Sequence, residues 1–157
     1  MGVPPVIRTF QTSDLPQLRE LFLEYGASVG NNICFQSFEA EVAGLPGACA
    51  PPSGEILIAT GGGNLAGCVA FRPLDDGICE MKRLYVRPGY RGTGLGGALA
   101  RAAISEATSR GYRVLRLDTL PSMLRAMQLY RELGFTEIPP YGDNPVSAIC
   151  YEVVLSI

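Results

Sequence analysis

The chain has 157 residues, a formal net charge of −2, 47% hydrophobic and 18% charged residues, and no histidine. That length and composition predict one globular domain over residues 1–157 with its own core, and disfavour a disordered chain or a phosphate-binding nucleic-acid protein. No apolar run is long enough to cross a bilayer and no basic-then-apolar leader opens the chain, so no membrane partner and a cytoplasmic location are expected.

The lack of histidine removes a Ser-His-Asp triad, a Cys-His pair and a His-ligated zinc site, so no metal is expected. Cys34, Cys49, Cys68, Cys79 and Cys150 are widely spaced with no C-x-x-C pair, which reads as reduced, mostly buried thiols. A covalent acyl-cysteine would lack a histidine to activate the thiol.

Val6 to Phe10 reads as a short strand. Thr12 or Ser13 can cap the helix that follows, with a stripe of Leu15, Leu18, Leu21, Phe22 and Tyr25 and Gly26 as its stop. A second short helix is expected near Phe38 to Ala43. Glu55 to Thr60 and Leu65 to Phe71 form a hairpin about the turn Gly61-Gly62-Gly63-Asn64, and a second turn is expected at Pro73 to Gly77. Ile78 to Val86 is the next strand, followed by a glycine-rich loop and a helix from about Gly94 to Arg110. Val114 to Thr119 is a strand. Ser122 can cap a helix to Leu133 that stops at Gly134, and Phe135 to Ile138 and Ala148 to Leu155 are the last strands. The strand-helix-strand unit requires a parallel pair with a right-handed crossover. The class is α/β, with a mixed α+β sheet and helices on both faces.

The loop Arg87-Pro88-Gly89-Tyr90-Arg91-Gly92-Thr93-Gly94-Leu95-Gly96-Gly97 leaves a strand and opens a helix. Its glycines allow close main-chain approach, the helix start offers unpaired N–H groups, and Arg91 adds a forked cationic donor. The combination suits a diphosphate. A bare turn needs neither four glycines nor an arginine, and a Walker-type loop would need Lys-Ser or Lys-Thr after the glycines. Gly92, Gly94 and Gly97 also satisfy G-x-G-x-x-G, with Asp118 beyond them. However, a long loop separates strand from glycines, and too little chain follows for a dinucleotide domain.

Arg91-Gly92-Thr93-Gly94-Leu95-Gly96 resembles the R/Q-x-x-G-x-G/A signature of the GNAT superfamily of N-acetyltransferases. Leu84-Tyr85-Val86-Arg87-Pro88 resembles its approach strand, and Ala126 to Phe135 resembles its A-x-x-L-Y-x-x-x-G-F segment. The family often has Asn where this chain has Met123. The resemblance implies an acyl-CoA N-acyltransferase fold, a mostly antiparallel central sheet with a splayed parallel pair. It also implies acetyl-CoA as co-substrate and an amine acceptor, and makes a homodimer an expectation.

Acetyl transfer needs a neutral amine, a stabilised carbonyl oxygen and a proton for the leaving thiolate. Glu80, on the strand leading into the loop, is the candidate base, acting through water. Alternation places Glu80, Lys82, Leu84 and Val86 on one face. The other reading pairs Glu80 with Lys82 or Arg83. The resemblance implies that this strand bulges and that main-chain groups of Leu84, Tyr85 and Val86 bind the pantetheine arm. It also implies that Tyr130 faces the CoA sulfur as acid, where the alternative is a core tyrosine. Cofactor contacts are therefore expected at Leu84, Tyr85, Val86, Arg91, Gly92, Thr93, Gly94, Leu95, Gly96 and Tyr130. Tyr85 and Tyr90 either pack on cofactor or fill space.

The acceptor is expected between Tyr25 to Glu41 and Pro139 to Val146, with Phe35, Asp118 and Thr119 as contacts. A small-molecule amine is the main reading and a protein lysine or N-terminus the second. A non-catalytic acyl-CoA sensor would need neither Glu80 nor Tyr130.

Overall fold

The computed structural model describes residues 4–29, 35–142 and 147–156, without the side chains of 35–37. The elements in order are β1 (Val6–Thr9), α1 (Leu15–Val29), α2 (Phe35–Ala43), β2 (Glu55–Gly61), β3 (Asn64–Asp75), β4 (Ile78–Val86), α3 (Leu95–Ser109), β5 (Val114–Thr119), α4 (Leu124–Glu132), β6 (Thr136–Ile138) and β7 (Ile149–Val154). The strands form one sheet in the order β1-β2-β3-β4-β5-β7-β6. All neighbours are antiparallel except β4 and β5. The mixed class and the parallel pair are as expected from the sequence.

Two apolar clusters divide the faces. On one face, Leu95, Leu99, Ala103 and Ala107 of α3 and Met127 and Tyr130 of α4 pack on Val69, Phe71, Cys79, Met81, Leu115 and Leu117. The i, i+4 spacing of the α3 residues puts them on one stripe, and the alanines let the helix lie close to the sheet. On the other face, Leu18, Leu21 and Phe22 of α1 and Phe38 and Val42 of α2 cover Ile56, Ile58, Cys68, Ala70 and Tyr85. Complete burial of Leu99 stabilises the fold by about 1.5–3 kcal/mol before entropy is counted.

Several local expectations are corrected. Helix α1 runs through Gly26 to Val29. A Cβ at Gly26 would lie 2.6 Å from Phe38 Cε2, so this glycine serves the close approach of α1 to α2. Thr12 and Ser13 do not cap α1. With Asp14 they form a single 3-10 turn. Asp14 accepts the Gln11 N–H and receives both Nη groups of Arg8. Ser122 is likewise not the cap of α4, which starts after Met123 without a side-chain cap bond. Strand β3 continues through the expected turn to Asp75, because Pro73 pairs opposite Cys79.

Candidate active site

The site begins where β4 breaks its own regularity. Cys68 pairs with Tyr85 and Ala70 with Lys82, so Val69 on β3 faces both Arg83 and Leu84 on β4. Such a two-against-one bulge bends the strand. Arg83 takes φ 60, the left-handed region, and its carbonyl accepts the Cys68 thiol at 3.4 Å. The side chain is held from outside the strand. Nε and Nη2 donate to Glu41 at 2.8 and 2.7 Å, and the guanidinium lies over Tyr25 and Phe38 at 5.5 and 5.2 Å.

The bulge corrects the expectation that Glu80, Lys82, Leu84 and Val86 share a face. Cys79 and Met81 point into the α3 cluster, so Glu80 and Lys82 face the α1 side. Beyond the extra residue the phase inverts. Leu84 and Val86 pack on the α3 cluster, and Tyr85 joins the α1 cluster.

On its other edge β4 pairs with β5 only over Ile78–Val114, Cys79–Leu115 and Glu80–Arg116. Both strands continue past that point unpaired to each other, which opens the sheet. A cleft of about 550 Å³ occupies the region beside this opening. It is lined by Leu84, Tyr85 and Val86, by Arg91, Gly92, Gly94, Leu95 and Gly96, and by Met123 to Ala126.

Helix α3 aims its start at this cleft. Gly94 is its N-cap at φ 86, preceded by Gly92 at φ 79, so both positions need glycine. The first turn has no acidic residue and no side-chain cap bond, leaving its N–H groups and the positive end of the dipole for an anion. Arg91 arches over the end of β4, donating Nε to the Val86 carbonyl at 2.9 Å with its guanidinium 5.6 Å above the Tyr85 ring. Main-chain donors, an uncapped helix start and an exposed arginine form a donor set that fits a diphosphate.

The cleft thus gathers every expected cofactor contact except two. Thr93 lies outside the lining, its hydroxyl donating to the Tyr90 carbonyl. Tyr130 is 6% exposed and packs on Phe135 and Tyr151 at 5.6 and 6.2 Å. Burial pushes its phenol well up, with Tyr25 and Asp118 adding to the effect.

On the α1 side, Glu80 is 3% exposed and fully engaged. Arg72 Nε and Nη2 each lie 2.9 Å from Oε1, Tyr141 donates its hydroxyl to Oε2 at 2.7 Å, and Lys82 Nζ stands 3.8 Å from Oε1. The ion-pairing reading expected Lys82 or Arg83 as the partner. The main partner is Arg72, because Arg72 sits opposite Glu80 in the β3–β4 register whereas the bulge turns Arg83 towards Glu41. Burial pushes the Tyr141 phenol up, reinforced by its bond to Glu80. Asp118 is half-buried on the same face. Thr119 points the other way, its hydroxyl on Met123 Sδ at 3.5 Å.

Phe35 opens α2, but its side chain lies outside the described residues, as do that of Gln36 and residues Asn31, Asn32, Cys34, Asp143, Asn144 and Pro145. The four described cysteines form no disulfide with one another. Burial pushes Cys49 up to about 11 and Cys68 and Cys79 up to about 12, so these thiols stay protonated. Tyr25, expected both in the apolar stripe of α1 and in the acceptor segment Tyr25 to Glu41, lines the cleft. One contributor escaped the sequence reading. Arg72 had no local signal, since only the strand register brings it to Glu80.

The family model for the Acetyltransferase (GNAT) family matches residues 15–135. An N-acetyltransferase of Schizosaccharomyces pombe is 39% identical over 140 residues, covering 88% of this chain and 86% of that one. A GNAT-family acetyltransferase of Staphylococcus aureus has a TM-score of 0.81 at 22% identity, covering 97% of this chain and 99% of that one. The acetyltransferase yncA of Salmonella typhimurium, solved with its cofactor acetyl-CoA, has a TM-score of 0.77 at 20% identity, covering 98% of this chain and 95% of that one. From the bulge, the sheet opening, the glycine-rich helix start and these matches, the chain belongs to the GNAT family of N-acetyltransferases.

Proposed function

We propose that residues 1–157 act as one N-acetyltransferase domain, moving an acetyl group from acetyl-CoA to a primary amine of a small molecule by direct attack in a ternary complex. The carrying observation is that the bulged main chain of β4 and the uncapped start of α3 border one cleft at the opening between β4 and β5. The solved relative with acetyl-CoA supports the choice of acyl carrier. The N–H groups at the start of α3, with Arg91, take the diphosphate. The main chain of Leu84 to Val86 takes the pantetheine arm and polarises the thioester carbonyl.

The amine enters from the α1 side and attacks the carbonyl carbon. A C–N bond forms and the C–S bond breaks. Glu80 is the collecting carboxylate for the amine proton, reached through water, and Arg72, Lys82 and Tyr141 hold it in place. Tyr130 donates to the departing thiolate, and burial keeps its phenol protonated.

Calorimetric titration with acetyl-CoA should give binding that Arg91→Ala weakens about tenfold, the scale of one charge-assisted contact. Thiol release with an amine panel should fall about 100-fold in Tyr130→Phe, with KM for acetyl-CoA little changed. Absence of acetyl-CoA binding to the intact protein would refute the reading. Binding with no amine-dependent thiol release would favour a sensor.

A further inference from the structure

The diphosphate cradle leaves one glycine and two cationic side chains beside it without a role. Gly97 is the last glycine of the Gly92, Gly94, Gly97 pattern, yet it lies inside α3, outside the cleft lining and without a positive φ. Glycine inside a helix is destabilising relative to alanine, so backbone conformation does not explain the residue. The space it leaves does. A Cβ there would lie 3.3 Å from each Nη atom of Arg101 and 3.4 Å from Leu129 Cδ1. The Arg101 side chain therefore leans back one turn along α3, as helical side chains do, and sets its guanidinium at the level of the first turn. Leu129 of α4 reaches the same point, so this guanidinium sits at the seam between the two helices.

Arg125 approaches that seam from α4. It is the second residue of α4, one turn before Leu129 on the same stripe, and it lines the cleft. Among the described residues, neither Arg101 nor Arg125 makes an ion pair or a side-chain hydrogen bond. The helical neighbours three and four positions away are Gly97, Ala98, Ile104 and Ser105 for Arg101, and Pro121, Ser122, Gln128 and Leu129 for Arg125, with no carboxylate among them. The cleft lining holds two charged residues, Arg91 and Arg125, and no Asp or Glu. The first turns of α3 and α4 are also free of acids. Arg91 works from the end of β4, held on the Val86 carbonyl and over the Tyr85 ring. The cations around the start of α3 thus come from two sides: Arg91 from β4, and Arg101 with Arg125 at the seam with α4.

We infer that Arg101 and Arg125 hold the 3′-phosphate on the ribose of the acyl carrier, so that this protein selects coenzyme A over its 3′-dephospho form. This rests on the acetyl-CoA reading and gives a partner to the one charged group of the carrier that the cradle leaves unassigned. With the diphosphate at the start of α3, the 3′-phosphate lies one sugar ring away, within reach of long side chains from the adjoining turns. A phosphate accepts forked N–H bonds from a guanidinium, and two arginines can share its oxygens. Both arginines are exposed, so salt screens the contact and it acts as a selector beside the main-chain cradle. Gly97 contributes by leaving room, since a side chain there would push Arg101 off the seam.

The test is calorimetric titration with acetyl-CoA and with acetyl-3′-dephospho-CoA, for the intact protein, Arg101→Gln, Arg125→Gln and the double variant. The intact protein should bind acetyl-CoA about tenfold more tightly than the dephospho form, the scale of an exposed charge-assisted contact. Each single variant should reduce that preference to about threefold and the double variant to near unity, by weakening acetyl-CoA while the dephospho form binds as before. Added salt should shrink the preference of the intact protein. Arg131→Gln, which removes the same charge from the last turn of α4, should keep it. Equal binding of the two carriers by the intact protein overturns the inference, as does a preference that survives in the double variant. Equal weakening of both carriers by the substitutions also overturns it, because the arginines would then serve the diphosphate. In these cases acetyl-CoA still binds and the parent reading stands. Failure of the intact protein to bind either carrier would instead strike that parent reading.

Discussion

Replacing Arg83 by alanine and by glycine separates two effects that the β4 bulge combines. At φ 60 a residue with a Cβ costs roughly 1–2 kcal/mol, and glycine does not. Glycine also gives back about 0.5–1 kcal/mol by loosening the unfolded chain, so it should be the more stable replacement by about 1 kcal/mol. Both replacements lose the side chain. Its pair with Glu41 has side-chain exposures of 14% and 34%. That places it between an exposed pair, worth ~0–1 kcal/mol, and a buried one, whose breaking costs ~3–5. About 2 kcal/mol is a reasonable share, and the contacts over Tyr25 and Phe38 add roughly 0.5 kcal/mol each. Burial works against the Arg83 charge, yet Glu41 and Tyr25 hold its pKa above the ordinary value, so the cation persists. Arg83→Ala should therefore lose about 3 kcal/mol and Arg83→Gly about 2 kcal/mol in equilibrium urea unfolding. Both should also weaken acetyl-CoA binding severalfold, because the main chain of Leu84 to Val86 follows the bulge. Equal stability of the two variants would refute the strained-bulge account. Two variants within 0.5 kcal/mol of the parent would refute the anchoring role of the side chain.

Leu99→Ala, at 0% exposure on the sheet-facing side of α3, should cost about 2–5 kcal/mol in thermal or urea unfolding. Gly94→Ala should weaken acetyl-CoA binding and cost about 1–2 kcal/mol of stability, since its φ of 86 is closed to a Cβ; a calorimetric Kd equal to that of the parent would count against the helix start as the anion site. Asp14 is held below its ordinary pKa by its bonds to Arg8, burial opposing. Its contribution is then complete above the unfolded value of about 3.9 and is lost as pH falls through the lower folded value. The stability gap between parent and Asp14→Asn should close over that acid window, and a gap that persists below it would contradict the assignment.

Much of this protein is local and therefore readable in the chain. Period-2 and period-3.6 patterns placed Ile78–Val86, Val114–Thr119 and α3 to within a residue or so, because each element buries one face and its residues must repeat accordingly. The glycines and arginine from Arg91 to Gly96 announced an anion-binding helix start, because only such residues permit left-handed backbone and a cationic rim beside it. What depends on partners distant in sequence was not readable. The phase inversion after Lys82 arises because Arg83 is drawn towards Glu41 and the rings of Tyr25 and Phe38, residues of two helices more than forty positions earlier. Arg72 and Tyr141 meet at Glu80 only through strand register and a tertiary contact 61 positions apart in the chain. The opening of the sheet exists only once β4 and β5 part. Nothing in either strand alone states where the ladder between them ends.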